Sequence, residues 1–285
     1  MFSKCFTEKF VALSKQRGTF CLGIDPTPNL LLTWGVGDNI QGLKLMCNTI
    51  IEAAGDNLAM VKPQAAYFER FGPEGIQVLC ELVEKFHEQE TLVLLDAKRG
   101  DINSTSLAYA EAYLGQDSIY KFDAITLSAY LGFDALLSTF KYAHKVSAGI
   151  FLVIKSSNPE GSIIQNALIE YQNTHISVAN YLATKTSDFN QVYLHQGLGP
   201  IGAVVGATLT DIKDLLSKLK SSLILMPGIG FQGATIEDLS INCDGHTNRI
   251  IPIAAREVLS EGNDIVLLRE KIKQYCERSL KLIKV

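Results

Sequence analysis

An eightfold alternation limits what this chain can fold into more than any other feature. Eight short runs rich in Val, Ile and Leu recur along it, each ending in a polar or glycine-bearing tip. They are Phe20 to Asp25, Leu58 to Gln64, Thr91 to Lys98, Phe122 to Ser128, Gly149 to Ser157, Ala203 to Thr208, Leu223 to Gly230 and Arg249 to Arg256. Between them the apolar residues recur at helical spacing, as in Ile76, Val78, Leu79, Leu82, Val83 and Phe86 before the third run. Strand and helix alternating on this scale imply parallel strands joined by helical crossovers, and eight units predict closure into a (β/α)8 (TIM) barrel, an α/β fold. The alternative is an open doubly wound sheet, which gathers its functional groups at one switch point. Here polar groups stand at the tips of nearly all the runs: Asp25, Lys62, Asp96 with Lys98, Ser157, Thr208, Gly228 to Gln232, and Arg256.

The 285 residues, 47% of them hydrophobic, suit one large domain or two small ones, and the unbroken repeat favours one domain over 1–285 with no Pro/Ser-rich linker. A helix around Phe6 to Ser14 precedes the first run and is expected to plug the barrel's bottom. Two longer insertions, Asn158 to Gly202 and Phe231 to Asn248, follow the fifth and seventh runs and belong on the upper side. A net charge of -4 with no basic cluster argues against nucleic acid as a partner. Met1 to Phe20 carries Lys4, Glu8, Lys9, Lys15 and Arg17, which interrupts any signal-peptide core, and no stretch is long and apolar enough for a membrane span. Six scattered cysteines lack Cys-x-x-Cys spacing and read as free thiols of a cytoplasmic protein. The five histidines, His195 among them, show no metal-ligand spacing, so no metal is expected.

Chemistry concentrates at the third run, Thr91-Leu-Val-Leu-Leu-Asp96-Ala-Lys98-Arg-Gly-Asp101-Ile, where a buried strand meets alternating acid, base and acid. On an extended strand Asp96 and Lys98 share one face and Ala97 takes the other. Gly100 permits a sharp turn, which leaves Asp101 in the following loop, badly placed to rejoin that face. Alone, the triplet is equally well read as a surface ion pair worth roughly 0 to 1 kcal/mol. Lys62 and Asp25, ending the neighbouring second and first runs, turn the pair into an alternating array at the barrel mouth. Adjacent carboxylates would keep such lysines protonated and ready to act as acids. At the seventh and eighth tips, Pro227-Gly228-Ile229-Gly230-Phe231-Gln232-Gly233 offers backbone amides to an anion, and Arg256 adds a guanidinium, where barrels commonly hold phosphate. At the fifth tip, Lys155-Ser156-Ser157-Asn158-Pro159 supplies groups suited to a planar amide, although such a turn is usually only turn chemistry.

Taken together, Asp96-x-Lys98-x-x-Asp101-Ile102-x-x-Thr105, Lys62 one strand earlier, and the Pro-Gly-Ile-Gly-x-Gln-Gly turn with Arg256 later resemble orotidine 5'-phosphate decarboxylase across the whole barrel. Ser-Asn-Pro after the fifth run and Val-Val-Gly206-Ala-Thr208 at the sixth are similar to the longer bacterial subclass. The resemblance implies cofactor-free decarboxylation of orotidine 5'-monophosphate to UMP, the last step of de novo pyrimidine synthesis, in a homodimer with shared active sites. It further implies that Lys98 donates the proton to the ring carbon that loses carbon dioxide, with Asp96 beside the departing carboxylate. Lys62 and Asp25 would bind ribose hydroxyls, Asp101 and Thr105 would reach into the neighbouring subunit's site, Ser157 would read the pyrimidine amide, and Gln232 and Arg256 would grip phosphate with the Gly228 and Gly230 turn. Which of Ser156 and Ser157 contacts the base stays open. Magnesium-dependent sugar-phosphate barrels such as 3-keto-gulonate 6-phosphate decarboxylase and hexulose phosphate synthase share Asp-x-Lys-x-x-Asp, and Lys62 with Thr105 weighs against them. A silent nucleotide-phosphate binding module is the rival from another class, with little use for an intact charge array.

Overall fold

The computed structural model describes residues 4–115 and 117–283, so the first three residues of the N-terminal segment lie outside the described residues. Among the described residues ten strands occur in chain order: β1 Cys21–Ile24, β2 Met60–Pro63, β3 Leu92–Arg99, β4 Ala124–Leu127, β5 Gly149–Lys155, β6 Leu168–Tyr171, β7 Thr174–Ser177, β8 Ile201–Val205, β9 Ile224–Pro227 and β10 Ile250–Ala254. Eight of them close a parallel barrel in the order β1-β2-β3-β4-β5-β8-β9-β10, with β10 returning to β1. The expected (β/α)8 barrel is therefore present, with helices between successive barrel strands.

Period-two alternation divides each barrel strand between two cores. Leu22, Val61, Val93, Ile125, Leu152, Val205 and Met226 face outward and meet the helices, among them Ile40–Ala54, Gly72–Glu88 and Val178–Val192. Cys21, Met60, Leu92, Leu94, Ala124, Phe151, Val204, Leu225, Ile251 and Ile253 face inward and fill the barrel. The helix Phe6–Arg17 closes the bottom of that inner core: Phe6 and Phe10 join it, and Phe6 meets Phe151 edge-on at 5.8 Å. The lower barrel is filled by apolar side chains, and the strands' C-terminal ends hold an open cavity within the barrel.

The expected strands extend past the ladders at these ends. Asp25, Gln64, Ser128, Ser157, Gly206 to Thr208, Gly228 to Gly230, and Arg256 lie beyond the named strands and form the rim, where Gln64, Ser128, Gly206, Ala207 and Ile229 each still donate a backbone N–H to the neighbouring strand. Strand β3 departs in a different way. Five residues, Leu95 to Arg99, stand against three of β4, Ile125 to Leu127, so the ladder bulges and Lys98 takes a left-handed φ of 47°. The simple alternation expected from the sequence therefore does not govern Lys98, although its ammonium still meets Asp96.

The insertion after β5 also holds more structure than expected. It contains the antiparallel hairpin β6–β7, turned at Gln172 and Asn173, both with positive φ, and then the helix Val178–Val192.

Candidate active site

The upper end of the barrel holds a cavity of about 220 Å³ lined by Asp25, Lys62, Gln64, Asp96, Lys98 and Thr126 on one side and by Gly228, Phe231, Gln232 and Arg256 on the other. Asp96 extends the inward series Leu92, Leu94, Asp96 of β3, so it stands directly on the apolar barrel core. Its Oδ2 accepts from Lys62 Nζ at 2.8 Å and its Oδ1 from Lys98 Nζ at 2.6 Å. Lys62 Nζ also reaches Gln64 Oε1 at 3.2 Å and lies 3.7 Å from Asp25 Oδ1. The side chains of Lys62 and Asp96 are only 6% and 10% exposed, whereas Lys98 is 49% exposed and is the cation of the array that opens to the cavity.

Burial alone would push the Lys62 ammonium down, but the carboxylates of Asp96 and Asp25, with the hydrogen bond to Asp96, hold it above the ordinary lysine value. Burial would likewise push the Asp96 carboxyl up; Lys62 and Lys98 overcome it and hold the group well below the usual carboxylate range. Each ion is tolerated because its neighbours are present, which couples the array as a unit. Asp25 Oδ1 is buried and accepts no hydrogen bond within the protein, with the Lys62 ammonium 3.7 Å away.

Opposite the array, Gly228 and Gly230 adopt φ of 120° and 77°, conformations that side chains rarely take, and turn the backbone around the cavity edge. A Cβ at Gly230 would run into Glu257, so this turn can lie against the start of the helix Arg256–Leu259 only with glycine. The Arg256 guanidinium stacks 3.6 Å over the Phe231 ring. Ser157 Oγ donates to Gln232 Oε1 at 3.0 Å, bridging the β5 and β9 rims. The hydroxyl and N–H of Ser156 are engaged instead by Gln165 and Asn158. Of the two serines that the sequence left open, Ser157 is the one turned toward the mouth.

The structure thus gathers Asp25, Lys62, Asp96, Lys98, Gly228, Gln232 and Arg256 around one cavity, with Gly230 and Ser157 just behind its wall. Asp101 and Thr105 are absent from that wall. Asp101 Oδ1 accepts from Ile102 N at 2.7 Å, and Ile102 and Thr105 are exposed at the start of the helix Asn103–Tyr113. Sequence reading gave no role to Gln64, Thr126 or Phe231. Thr126 was legible as the inward partner of Ala124 two residues earlier on β4, a polar group on a face otherwise apolar. Phe231 and Gln64 carried no comparable signal. Among the described residues no cluster of three or more His, Cys, Asp or Glu side chains is placed to hold a metal ion.

A mouth with a buried charge array at one wall and a glycine turn with an arginine at the other defines a class: a (β/α)8 barrel with an ionisable site at the C-terminal ends of its strands. Residues 18–270 match the Orotidine 5'-phosphate decarboxylase / HUMPS family, and the chain belongs to that family. It is 46% identical to the orotidine 5'-phosphate decarboxylase of Myxococcus xanthus over 95% of this chain and 93% of that protein. A crystal structure from Streptomyces avermitilis superposes with a TM-score of 0.92 at 37% identity, covering 100% of this chain and 98% of that one. The OMP decarboxylase of Leishmania donovani superposes with a TM-score of 0.77 at 25% identity over 99% of both chains.

Proposed function

We propose that this chain is an orotidine 5'-phosphate decarboxylase, converting orotidine 5'-monophosphate to UMP and carbon dioxide in pyrimidine synthesis, with residues 1–285 acting as one catalytic barrel. The observation that carries the reading is the Lys62–Asp96–Lys98 array facing the Gly228 to Gln232 turn and Arg256 across one cavity, in a chain nearly half identical to a decarboxylase of that name. Breaking the bond to carbon dioxide leaves an electron pair in the plane of the pyrimidine ring, where the π system cannot take it up. Stabilisation then rests on a fixed cation at the developing charge, and Lys98 is the exposed cation of the array. The same ammonium passes a proton to the ring carbon, and the neutral amine regains one from solvent. Asp96, flanked by two lysines, sits beside the departing carboxylate and aims Lys98. Lys62 and Asp25 take the ribose hydroxyls, Ser157 the pyrimidine amide, and Gln232, Arg256 and the glycine turn the phosphate. Phosphate lies across the ribose from the reacting carbon, so its binding energy is available for closing the rim.

The position of the half-buried Asp101 and the exposed Thr105, both away from the cavity of their own chain, supports a homodimer in which each subunit lends these residues to its partner's site. The six free thiols, four of them buried, fit a cytoplasmic enzyme. Among the described residues no helix is long and apolar enough to cross a membrane. Against the magnesium-dependent reading stands Lys62, whose ammonium lies between Asp25 and Asp96, where a metal site would need their carboxylates. The test is ultraviolet loss of orotidine 5'-monophosphate with and without chelator. Turnover unaffected by chelator and reduced by roughly four orders of magnitude or more in Lys98→Ala is expected. A chelator-sensitive rate restored by magnesium, or an active Lys98→Ala, would refute the assignment.

A further inference from the structure

The β3 bulge that presents Lys98 is built around one hydroxyl on the neighbouring strand. Between the pairs Leu95–Ile125 and Arg99–Leu127 the two strands lose register, which removes the backbone N–H groups of Ala97 and Lys98 from the β3–β4 ladder. Both turn instead to Thr126 Oγ1, at 3.0 and 2.9 Å. A hydroxyl has two lone pairs and one proton. With both lone pairs taken by N–H donors, the proton must point elsewhere, and it is donated to Asp96 Oδ1 at 2.8 Å. Thr126 is buried, so no water competes for any of the three bonds. The oxygen that receives this proton is the one that accepts from Lys98 Nζ at 2.6 Å. Thr126 therefore holds both ends of the Asp96–Lys98 pair: the backbone from which Lys98 departs, in its left-handed conformation, and the carboxylate oxygen to which its ammonium returns.

We propose that Thr126 is a positioning residue for the decarboxylation, its hydroxyl fixing the β3 bulge and the Asp96 carboxylate so that the Lys98 ammonium meets the reacting carbon. The proposal rests on the assignment of Lys98 as proton donor. Thr126 is almost wholly buried in the cavity wall, so it acts through Asp96 and Lys98 on the chemical step and leaves the phosphate and ribose contacts as they are. Removing its oxygen frees two buried N–H groups and one lone pair of Asp96, and the bulge can relax toward regular pairing, which carries the lysine away. Misplacing a reacting group by about 1 Å costs on the order of 100-fold in rate.

The experiment compares Thr126→Val, which keeps the shape and loses the oxygen, with Thr126→Ser, which keeps the oxygen and loses a methyl. Turnover of orotidine 5'-monophosphate is measured alongside UMP affinity by calorimetry, with Lys98→Ala as reference. For Thr126→Val a fall in kcat on the order of 10- to 100-fold is expected, with UMP affinity within about threefold of wild type, since the product's phosphate and ribose contacts lie elsewhere. Thr126→Ser is expected to keep kcat near wild type. Unchanged kcat in Thr126→Val, or an equal loss in Thr126→Ser, would overturn the proposal while an inactive Lys98→Ala keeps the underlying assignment standing. An active Lys98→Ala would overturn both. Should Thr126→Val not fold, the serine variant decides: near-wild-type kcat supports the role of the oxygen, and loss of kcat refutes it.

Discussion

Replacing Lys62 by Met removes the ammonium that makes the buried Asp96 carboxylate tolerable and keeps most of the side-chain volume. At an effective dielectric of about 20, the 2.8 Å contact to Asp96 corresponds to an attraction of roughly 6 kcal/mol and the 3.7 Å approach to Asp25 to roughly 4 to 5 kcal/mol. Most of this repays the cost of burying the ions. Breaking such a pair typically leaves a loss of about 3–5 kcal/mol. Asp25 is partly open to water and Asp96 keeps Lys98 and Thr126, so the lower end, about 3 kcal/mol, is expected. For a chain of this length that is a fall in Tm of roughly 5 °C. The pH dependence gives a second reading. The depressed Asp96 contributes stability that is complete above its ordinary value of 3.8 and is lost as pH falls through its still lower folded value. The raised Lys62 contributes stability that is complete below its ordinary value of 10.5 and is lost as pH rises through its folded value. The Tm gap between wild type and Lys62→Met should therefore stay constant from about pH 4 to pH 10 and narrow on either side. Thermal melts across that range, followed by near-ultraviolet circular dichroism, measure it. Equal Tm values at pH 7, or a gap that grows in acid, would refute the coupling of Lys62 to Asp96.

Arg256→Ala is expected to lower kcat/KM and UMP affinity by about 10- to 100-fold, the worth of a charge-assisted hydrogen bond; unchanged UMP affinity by calorimetry would misplace the phosphate site. Lys98→Ala and Asp101→Ala should each be nearly inactive, and their co-expression should restore activity, because a mixed dimer holds one site with both defects and one with neither. Purified heterodimers without activity would show that Asp101 serves its own chain. In Gly206→Ala the added methyl would come within 2.8 Å of the Ser157 backbone nitrogen, which cannot retreat like a side-chain tip. The expected result is a raised KM with a smaller change in kcat, and an unchanged KM would argue against Ser157 as a contact to the base.

The eight apolar runs and the helical spacing between them are properties of adjacent residues, and they predict the barrel because a period of two or of 3.6 decides which face is buried whatever the neighbouring strand. The same local logic places Asp25, Lys62, Asp96 and Arg256 at strand tips, and the positive-φ glycines after Pro227 announce their turn. What the Asp96–Lys98 pair rests on was not legible in this way. The β3 bulge arises from the mismatch between five residues on one strand and three on the next, and only the paired strands create that mismatch. Thr126, distant in sequence from Lys98, gains its role by standing opposite the gap. Likewise, Phe231 reads as an ordinary loop aromatic until Arg256, which opens the helix after β10, is laid across its ring. Backbone periodicity is written in neighbouring residues and determined the barrel and its charged mouth. The aim of each side chain within that mouth depends on register and on contacts between distant segments, so only the tertiary structure decided it.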